Sequence, residues 1–241
     1  PGSAALVRPF IEQYGITKEE HVKAADAFTS FNDFFYRKLK PASRPVDAAD
    51  ESAVFPADGR HLGFAKASEV ERVYVKGQRF DLGRLLGDDK LAAQFSAGAA
   101  VFSRLCPVDY HRFHFPVAGE PGNARLINGS LYSVNPLALR DRLTILWENK
   151  RYITEIETEQ LGRVLMLEIG ATNVGSVHHT FVPTRTVEKG EEKGYFAFGG
   201  SATLTLFEPG RVQLAEDLLE QSAGQRELYA KVGDRMGTIQ S

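Results

Sequence analysis

Hydrophobic residues recur at helical spacing in the first 40 residues of the chain. Five of them share one face of a helix that should end at Gly15: Leu6, Val7, Phe10, Ile11 and Tyr14. Thr17 is then expected as an N-cap, with Glu20 three residues later as the second member of a capping box. An aromatic-rich stretch over residues 31–39 predicts another helix, which ends before Pro41. Residues 41–51 are polar and contain proline, which indicates a linker or surface loop.

The pattern changes at Val54, where short apolar or alternating runs replace the helical spacing. Glycine, proline and asparagine separate these runs, which is typical of a mostly antiparallel β fold. The runs occupy residues 72–75, 99–105, 109–117, 124–127, 143–147, 151–156, 164–169, 180–183, 195–198 and 203–207. Residues 78–95 predict one or two short helices, and residues 212–221 predict another.

The sequence therefore predicts an α+β fold with a mostly antiparallel β core. Residues 1–45 would form an N-terminal helical segment, and residues 46–241 a β-rich domain with a short C-terminal helix.

Composition excludes several classes of protein. The 241 residues include 29 Lys and Arg against 31 Asp and Glu, so the formal net charge of −2 argues against nucleic-acid binding by bulk charge. Cys106 is the single cysteine, which leaves no disulfide framework and no multi-cysteine zinc site. No apolar run approaches the ~20 residues that a membrane-spanning helix needs. The common nucleotide-binding, zinc-protease and serine-hydrolase motifs are also absent from the sequence.

Two histidines, His111 and His114, stand three residues apart in an aromatic segment. Imidazole titrates near neutral pH, so histidines commonly carry protons in catalysis. Positions three apart face opposite sides of an ideal strand, so the two rings have different roles unless a bulge or turn brings them together. A strand with one buried, hydrogen-bonded histidine is the other interpretation of the pair.

Asp58 and Ser201 stand beside glycines. Asp58 precedes Gly59 after an apolar run, which predicts either a plain turn or an acid that orients a histidine. Ser201 follows Gly199 and Gly200 between two β-like runs. Glycines there allow backbone angles that would expose a carbonyl to the following hydroxyl, and a β-bulge or hairpin is the alternative.

Together these residues resemble the phosphatidylserine decarboxylase family along most of the chain. The similar segments, in order, are residues 31–41, Pro56-Ala57-Asp58-Gly59, Tyr110-His111-Arg112-Phe113-His114, residues 131–135, residues 170–177, Gly200-Ser201 and residues 206–210. The order of these separate motifs is more specific than any one of them, and it favours catalytic roles for Asp58, His114 and Ser201. One departure is Ala202, because the family commonly has serine or threonine at that position.

The resemblance implies a pyruvoyl enzyme that is made as a proenzyme and cuts its own backbone. Ser201 would attack the carbonyl carbon of Gly200, with His114 as the general base and Asp58 orienting His114. β-Elimination and hydrolysis would then leave a covalent pyruvoyl cofactor where Ser201 stood.

Processing would yield two associated chains, a β chain of residues 1–200 and an α chain of residues 201–241. The pyruvoyl ketone would form a Schiff base with the amine of phosphatidylserine and accept the electrons left by departing carbon dioxide. An acid must then protonate the carbon that lost carbon dioxide, and His111 resembles the family histidine with that role. Phosphatidylethanolamine would leave after this step.

The resemblance also sets the expected partners and location. Phosphatidylserine would be bound at a membrane surface, with the enzyme peripheral on the cytoplasmic face or cytoplasmic when detached. A homodimer is compatible with this picture, and neither a metal nor nucleic acid is expected. A glycine-rich stretch would hold the lipid phosphate through backbone N–H groups or form a tight turn, with Gly170, Thr172, Val174 and Gly175 as its candidate residues.

Two further clusters have structural interpretations. His178 and His179 are predicted to be solvated or hydrogen-bonded rather than metal ligands. An N-terminal aromatic cluster is predicted to pack into a core rather than onto a membrane, and it consists of Phe28, Phe31, Phe34 and Phe35.

Three competing functions remain open from the sequence. The first is a pyruvoyl-dependent decarboxylase of another amino acid. The second is a metalloenzyme that uses His111, His114 and either His178 or His179. The third is a β-rich binding module that is never processed.

Overall fold

The computed structural model describes residues 2–70, 80–172, 176–197 and 201–240. Helix α1 (Val7–Tyr14) ends as predicted, because Gly15 adopts the left-handed conformation with φ of 61°. Helix α2 (Phe31–Phe35) begins at Ser30, whose hydroxyl accepts a hydrogen bond from the backbone N–H of Asp33. Single 3₁₀ turns are found at Ala4–Leu6, Lys18–Glu20, Ala25–Ala27, Pro41–Ser43 and Ala67–Glu69.

A small aromatic core joins the two N-terminal helices. Val7 and Ile11 of α1 pack there with the buried rings of Phe28 and Phe34. The prediction that this aromatic cluster packs inward is therefore confirmed for these rings.

An eight-stranded antiparallel sheet forms the centre of the described structure. Its strands are β2 (Gly59–Phe64), β3 (Ala100–Leu105), β5 (Glu120–Pro121), β6 (Arg125–Ile127), β7 (Arg151–Thr158), β8 (Gly162–Ile169), β11 (Ser201–Phe207) and β13 (Leu228–Ala230). Their order across the sheet is β13-β2-β3-β11-β8-β7-β5, and β6 also pairs with β7. All seven residues of β11 are buried, since this strand lies between β3 and β8.

Two three-stranded sheets accompany the large one. The first contains β1 (Ser52–Val54), β12 (Val212–Leu214) and β14 (Arg235–Ile239), in the order β1-β14-β12. The second contains β4 (Arg112–His114), β9 (Val177–His179) and β10 (Glu192–Phe196), in the order β4-β10-β9.

Hydrophobic clusters cover both faces of the large sheet. The remaining helices are α3 (Leu82–Leu86), α4 (Asp89–Phe95), α5 (Pro136–Asp141), α6 (Ile145–Glu148) and α7 (Glu216–Ala223). Helices α3 to α6 contribute to the cluster that contains Ala202, Leu204 and Leu206 of β11. Phe207 belongs to the opposite cluster, with residues of the small sheets and Leu218 of α7. Alternate residues of β11 therefore enter different cores, as expected for a strand buried on both faces.

The α+β class and the antiparallel pairing are confirmed, while several element boundaries are wrong. Of the strand predicted at residues 143–147, residues 145–147 lie in α6 instead, because an apolar run without alternation packs into a core in either conformation. Residues 212–214 extend β pairing to β14 before α7 begins, so the predicted helix starts late. Residues 180–183 form no strand, and of residues 109–117 only Arg112–His114 do.

The N-terminal predictions also need correction. The helix predicted over residues 31–39 ends at Phe35, since Leu39 instead forms an isolated bridge with His21. Thr17 precedes a 3₁₀ turn, but its side chain makes no capping hydrogen bond. The strand predicted at residues 72–75 lies outside the described residues, and the division between residues 45 and 46 stays a prediction.

Candidate active site

Ser201 is the first residue of β11 and is fully buried. Its partner across the sheet is Leu105, at the end of β3. Within the described part of the chain, no group forms a hydrogen bond with Ser201 Oγ. Since buried polar atoms are nearly always paired, this hydroxyl needs a specific explanation. Gly200 lies outside the described residues, so only the serine side of the predicted scissile bond can be examined.

A cavity of about 220 Å³ opens where β3 ends, at the sheet position next to Ser201. Three chain segments line it: residues 104–107, residues 133–135 and residues 171–172. The structure therefore brings Thr172, a predicted substrate-binding residue, close to the strand that pairs with Ser201. Val174 and Gly175 lie outside the described residues.

Asn149 connects two of the chain segments beside this cavity through hydrogen bonds, a role that the sequence analysis did not predict. Its side chain is fully buried, and its Oδ1 accepts the backbone N–H of Tyr132 at 2.9 Å. Its Nδ2 donates to the carbonyl oxygens of Tyr132 and Gly170, both at 2.8 Å. Thr172 Oγ1 adds a hydrogen bond of 3.1 Å to the carbonyl oxygen of Leu131. Gly170, another predicted substrate-binding residue, is thus held beside the cavity by the hydrogen bond that its carbonyl oxygen accepts from Asn149.

His111 is fully buried, and its tautomer follows from its contacts. Nδ1 lies 3.0 Å from the carbonyl oxygen of Asp109, which only accepts, so Nδ1 carries the proton. Nε2 then holds a lone pair, and no described group is hydrogen-bonded to it. Burial lowers the pKa of His111 to about 3, so the ring is neutral near pH 7. The ring also packs on Phe35, with 3.7 Å between ring centroids.

His111 is connected to the predicted cleavage region through the backbone. Its carbonyl oxygen accepts the N–H of Phe196, the last residue of β10, at 2.9 Å. The chain then reaches Ser201 within five residues. The structure therefore places a neutral imidazole, with no partner for Nε2 among the described residues, beside the end of β10.

His114 has the same tautomer but a different environment. Its Nδ1 donates to the carbonyl oxygen of Gly190 at 2.9 Å, which leaves Nε2 as the acceptor. The hydroxyl of Tyr110 lies 3.3 Å from that Nε2 and donates to it. Burial lowers the pKa of His114, although the charge of Asp58 opposes the shift. A neutral imidazole with a lone pair on Nε2 has the protonation state of a general base.

Asp58 is almost completely buried and fully hydrogen-bonded. Arg44 Nε lies 2.9 Å from each of its carboxylate oxygens, and a second guanidinium nitrogen of Arg44 lies 2.5 Å from Oδ2. The backbone N–H of Val232 donates to Oδ1 at 2.9 Å. Burial alone would lower the pKa of Arg44, but the hydrogen bonds and charge of Asp58, with Glu20, raise it instead. This guanidinium therefore remains protonated beside Asp58.

The backbone brings Asp58 and His114 into the same region without joining their side chains. The backbone N–H of His114 donates to the carbonyl oxygen of Pro56 at 2.7 Å, two residues before Asp58. No hydrogen bond connects Asp58 to His114 or His114 to Ser201 among the residues that the structure describes. The proposed roles of these three residues thus stay predictions.

Arg44 and Asp109 belong to this region although the sequence interpretation missed them. Arg44 comes from the polar stretch interpreted as a linker, and no local pattern indicates that it pairs with an acid 14 residues later. Burial raises the pKa of Asp109 to about 6, although Oδ2 accepts the N–H of Cys106 and lies 3.5 Å from Arg60. The sequence held one signal for Asp109, which stands two residues before His111, a candidate proton carrier.

A buried charged network joins β8 of the large sheet to β10 of a small sheet. Glu168 of β8 and Lys193 of β10 are both fully buried, with 2.6 Å between Oε1 and Nζ. His179 Nε2 lies 3.0 Å from the other oxygen of Glu168. His178 is exposed and stacks on Tyr195, so the prediction that this histidine pair is solvated or hydrogen-bonded is confirmed. In the described ranges, no three His, Cys, Asp or Glu side chains are grouped as a metal site would require.

A larger cavity, of about 680 Å³, lies elsewhere in the fold. Residues 117–120, 157–161, 186 and 188–189 supply most of its lining, together with Asp50 and Ser52. Ser201, His111 and His114 line neither cavity, but the smaller one is lined by Leu105, the sheet partner of Ser201, so size does not identify the candidate site.

None of the described helices is long and apolar enough to cross a membrane.

Comparison with known proteins identifies relatives along almost the whole chain. The family model for phosphatidylserine decarboxylase matches residues 31–238. A phosphatidylserine decarboxylase proenzyme of Chlamydia muridarum (strain MoPn / Nigg) is 49% identical over 232 residues, which cover 96% of this chain and 77% of that protein. Proteins with the same name from Chlamydia pneumoniae and Chlamydia caviae are 47% and 46% identical, over 97% and 95% of this chain and 78% and 76% of their own lengths.

Proposed function

The chain belongs to the phosphatidylserine decarboxylase family, a family of carboxy-lyases, and we propose that it generates its own pyruvoyl cofactor from Ser201. The relatives are named proenzymes, which supports self-processing of this chain. The observation that carries the proposal is the hydroxyl of Ser201, which is fully buried and has no hydrogen-bond partner among the described residues, while Leu105, its partner in the sheet, lines a cavity.

The surroundings of Ser201 fit a pyruvoyl group. Conversion of the serine to a pyruvoyl group removes its hydroxyl. This breaks no hydrogen bond, because Oγ has no partner among the described residues. The position at the start of β11 puts the new N-terminus opposite Leu105, which lines the same cavity as Thr172. When formed, this group would supply a ketone that condenses with the substrate amine and accepts the electron pair of the breaking C–C bond.

The first proposed step is attack of Ser201 Oγ on the carbonyl carbon of Gly200. The proton of Oγ passes to a base, an ester bond forms, and the peptide nitrogen of Ser201 becomes an amine. Loss of the α-proton then expels the carboxylate of residues 1–200, and hydrolysis of the resulting enamine releases ammonia. No external oxidant is needed, because the serine oxygen leaves on the carboxylate of Gly200 and one water molecule supplies the ketone oxygen as ammonia is released.

His114 is the proposed base because its contacts leave a lone pair on Nε2. The carbonyl oxygen of Gly190 holds the proton on Nδ1, and burial keeps the ring neutral. Tyr110 now donates to Nε2, so that hydrogen bond must be released or must relay the proton of Ser201. Asp58 supports the step through its charge, which raises the pKa of His114 toward the value that a base needs.

His111 is the proposed proton carrier in decarboxylation. Its Nε2 has no hydrogen-bond partner among the described residues, but a pKa of about 3 leaves the ring unprotonated in the free protein. An anionic substrate would raise that pKa, since nearby negative charge favours the imidazolium. Protonation of His111 would therefore be coupled to substrate binding.

The proposed substrate is phosphatidylserine, taken from the cytoplasmic face of a membrane by a peripherally bound enzyme. Arg104 lines the cavity and offers a cation to the anionic headgroup, although Glu227 also pairs with it at 2.6 Å. The related names support phosphatidylserine over a free amino acid. Turnover measured on phosphatidylserine and on free serine separates these substrates.

Intact mass under denaturing conditions tests the proposal. We expect fragments of residues 1–200 and 201–241, and the smaller one should lack a free amine and react with an aminooxy probe. Ser201→Ala should give one chain without activity. Thr203→Val is a matched control, because Thr203 is equally buried on the same strand and its hydroxyl is also unpaired in the described structure. A wild-type protein that remains one unmodified chain would refute self-processing.

A further inference from the structure

One carboxylate of the large sheet binds two neighbouring strands of a small sheet. Oε1 of Glu168, on β8, lies 2.6 Å from Nζ of Lys193 on β10. Oε2 of the same carboxylate lies 3.0 Å from Nε2 of His179 on β9. None of these three side chains has a role in the steps proposed above. We call Glu168, Lys193 and His179 the carboxylate clamp.

The carboxylate clamp encloses the predicted cleavage position along the chain. Glu168 is paired across the large sheet with Thr203 of β11, which stands two residues after Ser201. Lys193 stands eight residues before Ser201, on the strand that ends at Phe196. The ion pair therefore joins a point shortly before the predicted cleavage position to a point shortly after it.

Backbone hydrogen bonds hold each side of the cleavage position separately. On one side, the N–H of Phe196 donates to the carbonyl oxygen of His111 at 2.9 Å, and the N–H of Ala197 donates to that of Ser176 at 3.0 Å. On the other side, Ser201 begins a strand that lies between β3 and β8. These bonds fix the chain within its own surroundings, whereas the carboxylate clamp crosses from the small sheet to the large one.

The burial of the ion pair indicates a role in geometry rather than in stability. Glu168 and Lys193 have no exposed side-chain surface, and Nζ lies 5.3 Å from the centre of the Phe181 ring. Hydrophobic residues of similar volume in place of such a pair are often as stable or more stable. Apolar packing is non-directional, however, while a hydrogen-bonded ion pair requires a short, defined distance. The pair thus defines how the two sheets sit against each other near Ser201.

We propose that the carboxylate clamp is a positioning device for self-cleavage, which sets the placement of Ser201 relative to the chain before it. This inference rests on the proposed function, because it concerns the step that forms the pyruvoyl group. Intramolecular attack requires the reacting atoms to be about 3–3.5 Å apart, and a misplacement of about 1 Å costs about 100-fold in rate. Glu168 and Lys193 act through strands β8 and β10 rather than by contact with the reacting atoms.

The double variant Lys193→Met, Glu168→Leu tests this inference, because it removes both charges and fills the space with apolar side chains. Cell-free synthesis followed by intact mass should show self-cleavage about tenfold slower than in wild type, or slower still. Leu91→Ala is the matched control, since Leu91 is buried in the opposite hydrophobic cluster and its truncation lowers stability without touching the clamp. Its cleavage rate should stay within about twofold of wild type.

Two further measurements separate positioning from folding. In the Ser201→Ala background, where no chain is cut, the double variant should keep a urea midpoint close to that of its parent. Glu168→Asp keeps the charge but shortens its reach by one methylene group, so its cleavage rate should fall between those of wild type and the double variant. An unchanged rate in both variants would overturn the inference, and so would a Leu91→Ala chain slowed as much as the double variant.

Hydroxylamine identifies the step that is slowed. The reagent cuts the ester formed when Ser201 attacks, so a chain that attacks normally but eliminates slowly is cut as soon as hydroxylamine is added. The double variant should instead stay intact in hydroxylamine, because its attack is the impaired step. Prompt cutting would contradict the positioning role. Failure of the proposed function looks different, since the wild-type protein itself would then remain one unmodified chain.

Discussion

Replacing Lys193 with methionine should destabilise the protein by about 3–5 kcal/mol, the usual cost of removing one partner of a buried ion pair. The structure supports the upper part of this range, since Lys193 and Glu168 have no exposed side-chain surface and are 2.6 Å apart. Methionine retains the length of the lysine stem, so the packing against Phe113 and Phe181 changes little. The main loss is the positive charge opposite a carboxylate that water does not reach.

The expected change in stability at low pH follows from the pKa of Glu168. Burial alone would raise its pKa, but the charge of Lys193 and the hydrogen bond from His179 outweigh that effect and lower it. A folded-state pKa below the unfolded value contributes stability above the unfolded pKa, which is about 4.3 for glutamate. That contribution is lost as the pH falls through the folded-state value. In Lys193→Met the burial effect should dominate, so Glu168 should take up a proton at higher pH than in the parent.

Urea unfolding of Ser201→Ala, which should remain one chain, provides the assay. The free energy of unfolding is compared with and without Lys193→Met at pH 7, and then with Glu168→Leu added. The double replacement should recover most of the loss, because both buried charges are then gone. A loss below about 1 kcal/mol for Lys193→Met alone would refute the reasoning, as would a double variant less stable than the single one.

Three further outcomes are expected. Gly59→Ala should lower stability by about 1–3 kcal/mol and slow self-cleavage, because the new Cβ would lie 2.5 Å from a backbone oxygen of β3; thermal unfolding and intact mass would show it. Arg44→Gln should slow cleavage by removing the charge that holds Asp58, and Arg44→Lys should restore part of the rate in a cleavage time course. Burial lowers the pKa values of His61 and His111 to about 3, so stability should fall below pH 6.5 by about 2 kcal/mol each at pH 5, and an unchanged urea midpoint would contradict this.

The local pattern predicted the β core well, because alternation and turn residues act over a few positions. Strand β8 and strand β11 lie within one or two residues of the predicted runs. Residues 143–147 show the limit, since an apolar run records burial but not backbone conformation. Gly59, which follows Asp58, shows a second limit of the local pattern. Gly59 was a candidate turn residue, yet it starts β2, where the close approach of the β3 backbone leaves no room for a side chain.

The candidate site was only partly accessible from sequence. The order of motifs indicated Asp58, His114 and Ser201, but not that Arg44 binds the carboxylate of Asp58. That pairing depends on how the N-terminal segment folds back, and Arg44 stands in a stretch with no pattern of its own. Lys193 and Glu168 were missed for a similar reason, because their strands belong to different sheets and a buried ion pair leaves no periodic signal.

The unpaired hydroxyls of β11 distinguish a chemical requirement from a structural one. Ser201, Thr203 and Thr205 are all buried without hydrogen-bond partners in the described structure. Each leaves a desolvated hydroxyl at a cost of about 1–3 kcal/mol. Threonine offsets part of that cost, since its branched side chain suits a buried strand and its methyl group packs like valine. Serine has neither advantage, so alanine would be the more stable residue at position 201. A serine at this point is what the proposed self-processing requires, because that reaction would consume its hydroxyl.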